Sequence, residues 1–370
     1  MPAAVGERAL VWRRADGWLV GWLAVAVWVA AWVMHHYGIH AGINAVGALY
    51  WIGAVITAMH FGLSYHLAYS GGPSSLRARP FPLVVAPAAL ALLLCGVVVV
   101  SLHTGTATTA HVTSALITLV YLTTTWHYIK QVYGVGRIGA AYANVSLTGS
   151  DIRILRFGLY PLWFLGAAQV LIRGANYGLS GFAVGFGVLP GPTLLLLRVL
   201  ALCSAVPVLI VFARIRMRTG VAAPALLVAP YVAAFLWLGI PVNQTLTILA
   251  LAPFHALQYL AVGHRAEVAV ASTRPGRHGV AWWLNVFAGA ACGGLLLGRW
   301  LPSLLDSHFG RSGEPLLFAA VFFVFLNLHH YLIDASIWRS KGELVRAMVR
   351  KPAAEPAAVH VAKGFADARG

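Results

Sequence analysis

Acidic residues are the scarcest feature of this chain: ten Asp and Glu in 370 residues, against 26 Lys and Arg. Charged residues of both signs make up only 10% of it, where an ordinary soluble domain carries roughly 25%. A water-soluble fold of this length needs the missing charge on its surface, so that class is excluded. The formal charge of +16 would suit nucleic acid if it formed a patch. Instead the Lys and Arg residues stand in short loops between apolar runs, and no nucleic-acid partner is expected. Cysteine is also sparse. Cys95, Cys203 and Cys292 all fall inside apolar runs, which rules out a disulfide framework and a Cys-based zinc motif. The first apolar run lacks a small-residue cleavage site, so it reads as a retained helix and not a removed signal peptide. YGVGR at Tyr133–Arg137 has no preceding strand and no Lys-Ser/Thr, so it is no phosphate loop.

What the chain has in quantity is apolar residues, 60% of the total. A spanning helix needs about 20 mostly apolar residues. Ten runs qualify: 17–35, 42–66, 82–102, 109–133, 157–177, 193–213, 221–240, 244–263, 279–299 and 315–338. The fold class is therefore all-α, a polytopic membrane bundle of about ten transmembrane helices in a cell membrane, with the lipid bilayer as its solvent. Lys and Arg concentrate in cytoplasmic loops. With the N-terminus inside, the inner segments take Arg8, Arg13 and Arg14, then Arg77 and Arg79. Lys130, Arg137, Arg153 and Arg156 follow, then Arg214, Arg216 and Arg218, then Arg265, Arg274 and Arg277. The alternation holds through five helix pairs and puts both termini in the cytoplasm. The resulting division is a cytoplasmic N-terminal segment, 1–16, a transmembrane domain, 17–338, and a basic tail, 339–370, whose last twenty residues read as disordered.

Histidine inside a membrane helix is costly and marks function by default. Seven histidines fall at one depth, at the inner ends of four helices: His60 and His66 in HFGLSYH, His127 in TTTWHYIKQVYG, His255 and His264 in FHALQYLAVGHR, and His329 and His330 in LNLHHYLIDASIWR. Asp334 is the only carboxylate in any of the ten runs. Neutral imidazole suits iron, copper and zinc, so the seven are candidate metal ligands. Asp334, Gln131, Gln258 and Asn327 are candidates to orient the ligands' second ring nitrogens, and Tyr259 or Tyr331 to supply a proton. Residues four apart share a helix face, which groups His330 with Asp334, His127 with Gln131, and His255 with Tyr259. His60 and His66 lie about 120° apart on an ideal helix, and Gly263 before His264 is a plausible helix end. Trp126, Tyr128, Tyr133 and Trp338 read most simply as an aromatic belt.

The phrases HFGLSYH, FHALQYLAVGHR and LHHYLIDASIWR resemble motifs of the Brp/Blh-type β-carotene-cleaving dioxygenases, over about forty residues in three patches. The positions that match are His60-Phe61-Gly62, then His255, then His329 with Asp334. The resemblance implies a multi-pass membrane protein holding non-haem iron through histidines. Tyr65 stands where the family has an aspartate after His-Phe-Gly, and the family's opening Pro-His-Gly-x-x-Asp phrase has no counterpart. WHYIKQVYG and two or so helices are additional.

The reading that follows is a membrane-embedded, histidine-liganded iron oxygenase, mononuclear or dinuclear, acting on a lipophilic substrate and open to a cytoplasmic electron donor. Copper, zinc and non-covalent haem are the alternative cofactors. A haem-binding electron carrier and an ion or metal transporter are the rival functions.

Overall fold

The computed structural model describes residues 9–39, 43–173, 189–240, 242, 244–271, 280–310, 316–339 and 342–349. Among these residues every regular element is helical. Within the described residues each of the ten apolar runs falls largely on helix. We number them α1 (Ala15–His36), α2 (Ile43–Tyr69), α3 (Phe81–His103), α4 (Thr106–Tyr142), α5 (Gly149–Leu171), α6 (Gly191–Thr219), α7 (Ala225–Gly239), α8 (Gln244–Ala271), α9 (Val280–Phe309) and α10 (Leu317–Ile337). Seven of them, α1, α3, α5, α6, α9, α10 and the Val46–Tyr69 stretch of α2, are long and apolar enough to cross a membrane. Large apolar side chains face outward, Leu92 at 76% exposure and Leu195 at 66%, while His60, His127, His255, His329, His330 and Asp334 are buried. That inverted polarity fits a multi-pass membrane protein, because lipid replaces water around the bundle.

Several helices run further than their hydropathy suggests, and two of the extensions shape the site. α4 continues to Tyr142, nine residues past the apolar run. Gly136 and Gly139 lie in this extension, and a Cβ on either would press into Leu226, Leu227 or Tyr231 of α7. The glycines thus let two backbones approach, as small residues do between membrane helices. α8 likewise continues through Gly263 to Ala271, so Gly263 does not end it. A Cβ there would meet Leu63 Cδ2 at 2.6 Å, and the glycine serves contact with α2. The extension brings Glu267, fully buried, inside the helix. Asp334 is therefore not the only carboxylate buried in the bundle.

The remaining contacts set up the site. α2 lies against α9 at glycine distance, since a Cβ on Gly62 or Gly294 would run into the Ala290 or Ala58 carbonyl. α2 also packs on α8 and α10, and α10 packs on α4. Histidine-bearing α2, α4, α8 and α10 therefore adjoin. α1 opens with a π-helical turn, Trp18–Trp22, a geometry that frees a backbone carbonyl. The Val20 carbonyl accepts from Gln258 Nε2 at 2.6 Å, tying α1 to α8. The segment after α10 is not wholly irregular: α11 (Glu343–Val349) buries Met348 against the bundle. The last twenty residues lie outside the described residues.

Candidate metal centre

His60 of α2, His127 of α4, His255 of α8 and His330 of α10 meet at one point. Each offers a ring nitrogen, and the four lie within 4.8 Å of one another. All four side chains are buried. His127 Nε2 is 3.1 Å from His255 Nε2 and 3.2 Å from His330 Nε2. Metal–nitrogen bonds of about 2.0–2.1 Å put neighbouring ligand nitrogens roughly 3.0–3.4 Å apart, so these two separations fit a coordination shell. As hydrogen bonds they need particular tautomers: a neutral imidazole carries one N–H, so His127 Nε2 can donate to only one of the two nitrogens it faces. His60 Nε2 is buried with no hydrogen-bond partner among the described residues. Buried polar atoms are rarely left so, and a cation would satisfy all four lone pairs.

Asp334 closes the cluster from the side. Its Oδ2 lies 3.3 Å from His330 Nε2 and 3.7 Å from His127 Nε2. Its Oδ1 accepts from Tyr259 OH at 3.1 Å and Ser64 Oγ at 3.4 Å. Asp334 pairs with neither Arg339 nor Lys130, the surface partners its position in the sequence would also allow. Aromatic rings fix the imidazole planes. Tyr331 stacks on His127 at 4.4 Å, Tyr128 on His255 at 4.2 Å, and Tyr259 meets His60 edge-on at 4.4 Å. Tyr128 is thus packed on the cluster and is no member of an interfacial belt.

Comparison with family models, curated proteins and solved structures finds no match. What can be said of the site therefore rests on its geometry.

Three of the seven inner histidines stand apart, each with at least one ring nitrogen engaged elsewhere. His329 is turned away from its neighbour His330. Its Nε2 lies 3.0 Å from the Pro82 carbonyl, which can only accept, so Nε2 carries the hydrogen. Its Nδ1 then accepts from Tyr65 OH at 2.8 Å. The motif resemblance pairs His329 with Asp334, but the structure brings His330 to Asp334. His66 Nε2 lies 2.9 Å from Glu267 Oε1, the carboxylate that the extended α8 supplies. His264 Nδ1 is 3.0 Å from the Leu10 carbonyl, and its ring lies against Trp283.

The amides do not touch the imidazole nitrogens. Gln131 Nε2 donates to the His255 carbonyl at 2.7 Å and to Gln258 Oε1 at 3.2 Å. Asn327 Oδ1 accepts from Tyr331 OH at 3.3 Å, and Thr124 Oγ1 lies 2.8 Å from the same hydroxyl. These residues hold the α4–α8 and α4–α10 pairs together. The one side chain found on a ligand's second nitrogen is Ser64, whose Oγ is 2.9 Å from His330 Nδ1. Ser64 lies four residues after His60 on the same helix face, and that spacing was the available signal for it.

Proposed function

We propose that the protein is a membrane-embedded, histidine-liganded non-haem iron oxygenase acting on a lipophilic substrate. The observation that carries this is the convergence of four imidazole nitrogens, one from each of four helices, beside one carboxylate. The proposal includes ten membrane crossings with both termini cytoplasmic, as the distribution of Lys and Arg argues. Nitrogen-rich, water-poor sites suit borderline transition metals. Of these, iron is the one whose oxygen chemistry the motif resemblance to carotene-cleaving dioxygenases favours. When bound, such a metal would supply dioxygen activation. The chain's own residues hold the ligands neutral and correctly turned, exclude water, and present Tyr259 OH and Asp334 as a linked proton site.

Four rings whose nitrogens lie within 4.8 Å leave no planar slot for a macrocycle, so a single ion is favoured over haem. The oxygen balance separates two versions. Dioxygenase cleavage of a carbon–carbon double bond places one atom of O2 on each carbon and needs no outside electrons. Hydroxylation releases the second atom as water and needs two electrons from a cytoplasmic donor.

Metal analysis and an optical spectrum on detergent-purified protein test the reading. About one iron per chain without a Soret band is expected. Less than about half a metal per chain, or a Soret band, overturns it.

A further inference from the structure

A cavity of about 840 Å³ opens beside the cluster. Its inner end is formed by His127, Tyr259, Tyr331 and Asp334, all with little exposure. Its walls are apolar and aromatic, with Trp126, Trp338, Val262 and Ile138 among them. Five cations also line it: Lys130 and Arg137 of α4, Arg156 of α5, Arg339 after α10, and Arg346 of α11. Asp334, at the histidine end, is the only acidic residue in the lining.

None of the five cations is paired with a carboxylate among the described residues. Lys130 Nζ lies over the Trp126 ring at 5.2 Å, Arg137 donates to Tyr133 OH at 2.9 Å, and Arg339 reaches only the Ala335 carbonyl at 3.4 Å. Elsewhere on the same side a cation does find its acid, as Arg218 finds Asp151 at 2.9 Å. The general bias of Lys and Arg toward one side of a membrane explains why these residues are basic. It does not explain why four separate segments turn them toward one cavity. Arg77, Arg79, Arg214 and Arg216 belong to the same side by sequence, and none of them lines it. Like charges gathered round a concave, low-dielectric surface repel one another and focus a positive field. An oxoanion neutralises that field, and guanidinium groups bind one through paired N–H donors.

We propose that this cavity is the binding site for an amphiphilic oxoanion, a molecule with an apolar body and a carboxylate or phosphate at one end. The headgroup sits among the cations, and the apolar body follows the aromatic wall toward the histidines. On α4 Lys130 is three residues beyond His127 and Arg137 ten, about 4.5 Å and about 15 Å at 1.5 Å per residue. A headgroup held at Arg137 would leave the reacting carbon well away from the charged end. That last step rests on the metal reading above; the anion site itself does not.

The test uses the full chain in nanodiscs of neutral phosphatidylcholine. Dodecanoate, dodecyl phosphate, dodecanol and inorganic phosphate are titrated against tryptophan fluorescence, which Trp126 and Trp338 report from the cavity wall. Empty discs are subtracted. Both amphiphilic anions are expected to bind at least about tenfold more tightly than dodecanol, with the preference shrinking as salt rises. Inorganic phosphate should compete only at about 100-fold higher concentration. Arg137→Gln with Arg346→Gln, and separately Lys130→Gln with Arg156→Gln, should each weaken the anions about tenfold or more. Both pairs should leave dodecanol binding and the metal content unchanged. Dodecanol binding as tightly as dodecanoate, inorganic phosphate binding as tightly as dodecyl phosphate, or insensitivity to both variant pairs would overturn the proposal. Repeating the titration after chelation separates the two readings: anion binding in a protein that never held metal sinks the oxygenase alone.

Discussion

His127 and His255 point the same ring nitrogen at each other across 3.1 Å, although 128 residues separate them in the chain. Each lone pair there needs either a shared proton or a cation. Replacing one ring with a methyl group removes a ligand and opens a void in the others' packing. His127→Ala and His255→Ala should each lower metal affinity by more than the roughly 10–100-fold that loss of an outer partner costs. His329→Ala and His264→Ala should keep about one metal per chain, because their nitrogens serve Tyr65, Pro82 and Leu10. Elemental analysis of the four purified variants checks both halves.

Protons compete with metal for imidazole. Ligation requires the neutral ring, so affinity is highest where imidazole is unprotonated and falls as pH drops. With four histidines involved, more than one proton can be taken up per metal released. The apparent affinity should therefore fall as pH is lowered, and by more than tenfold per pH unit once the rings take up protons in competition with the metal. Equilibrium dialysis against a buffered metal from pH 4 to pH 8 measures the slope. An affinity that rises as pH drops would mean the rings are not ligands.

Asp334→Asn keeps the shape of the side chain and its acceptor oxygen for Tyr259 and Ser64, but removes the negative charge beside His330 and His127. Metal affinity should fall about tenfold or more, because the carboxylate lies against the ligating nitrogens themselves, 3.3 Å from His330 Nε2, where it attracts a cation directly, with little change in thermal stability of the metal-free protein. Metal titration and thermal unfolding of the same preparations separate the two effects.

Gly62→Ala tests the close approach of α2 and α9. The added methyl group meets the Ala290 backbone carbonyl, which belongs to a helix and cannot swing aside. Overpacking of this kind costs about 1–3 kcal/mol. Because Gly62 lies two residues from His60, metal occupancy should fall as well. Gly134→Ala, on α4 with open space at its Cβ, is the control and should be neutral in both thermal unfolding and metal content.

The helical runs were legible because hydropathy acts along the chain, one run at a time. The histidine grouping was legible for a related reason: depth in the membrane is a one-dimensional quantity. Rotation about each helix axis is not. His329 and His330 are adjacent, share one depth, and differ only by about 100° of turn, so the sequence does not say which faces inward. His66 was similarly ambiguous until its partner was known. That partner, Glu267, lies in a stretch of α8 whose polarity hides its helical state. Tyr128 looked interfacial because aromatic rings at that depth usually are; its stacking on His255 depends on how α4 meets α8.

The cluster draws its ligands from both ends of the chain, and 266 residues separate Ser64 from His330. Synthesis at about 5–20 residues per second delivers His60 to the bilayer tens of seconds before α10 emerges. During that interval the imidazoles arrive one at a time, His127 with α4 and His255 with α8, and Gln258 reaches the Val20 carbonyl only when α8 arrives. The four-histidine cluster is therefore a late product of synthesis, and a chain arrested anywhere before its tenth helix lacks both His330 and Asp334.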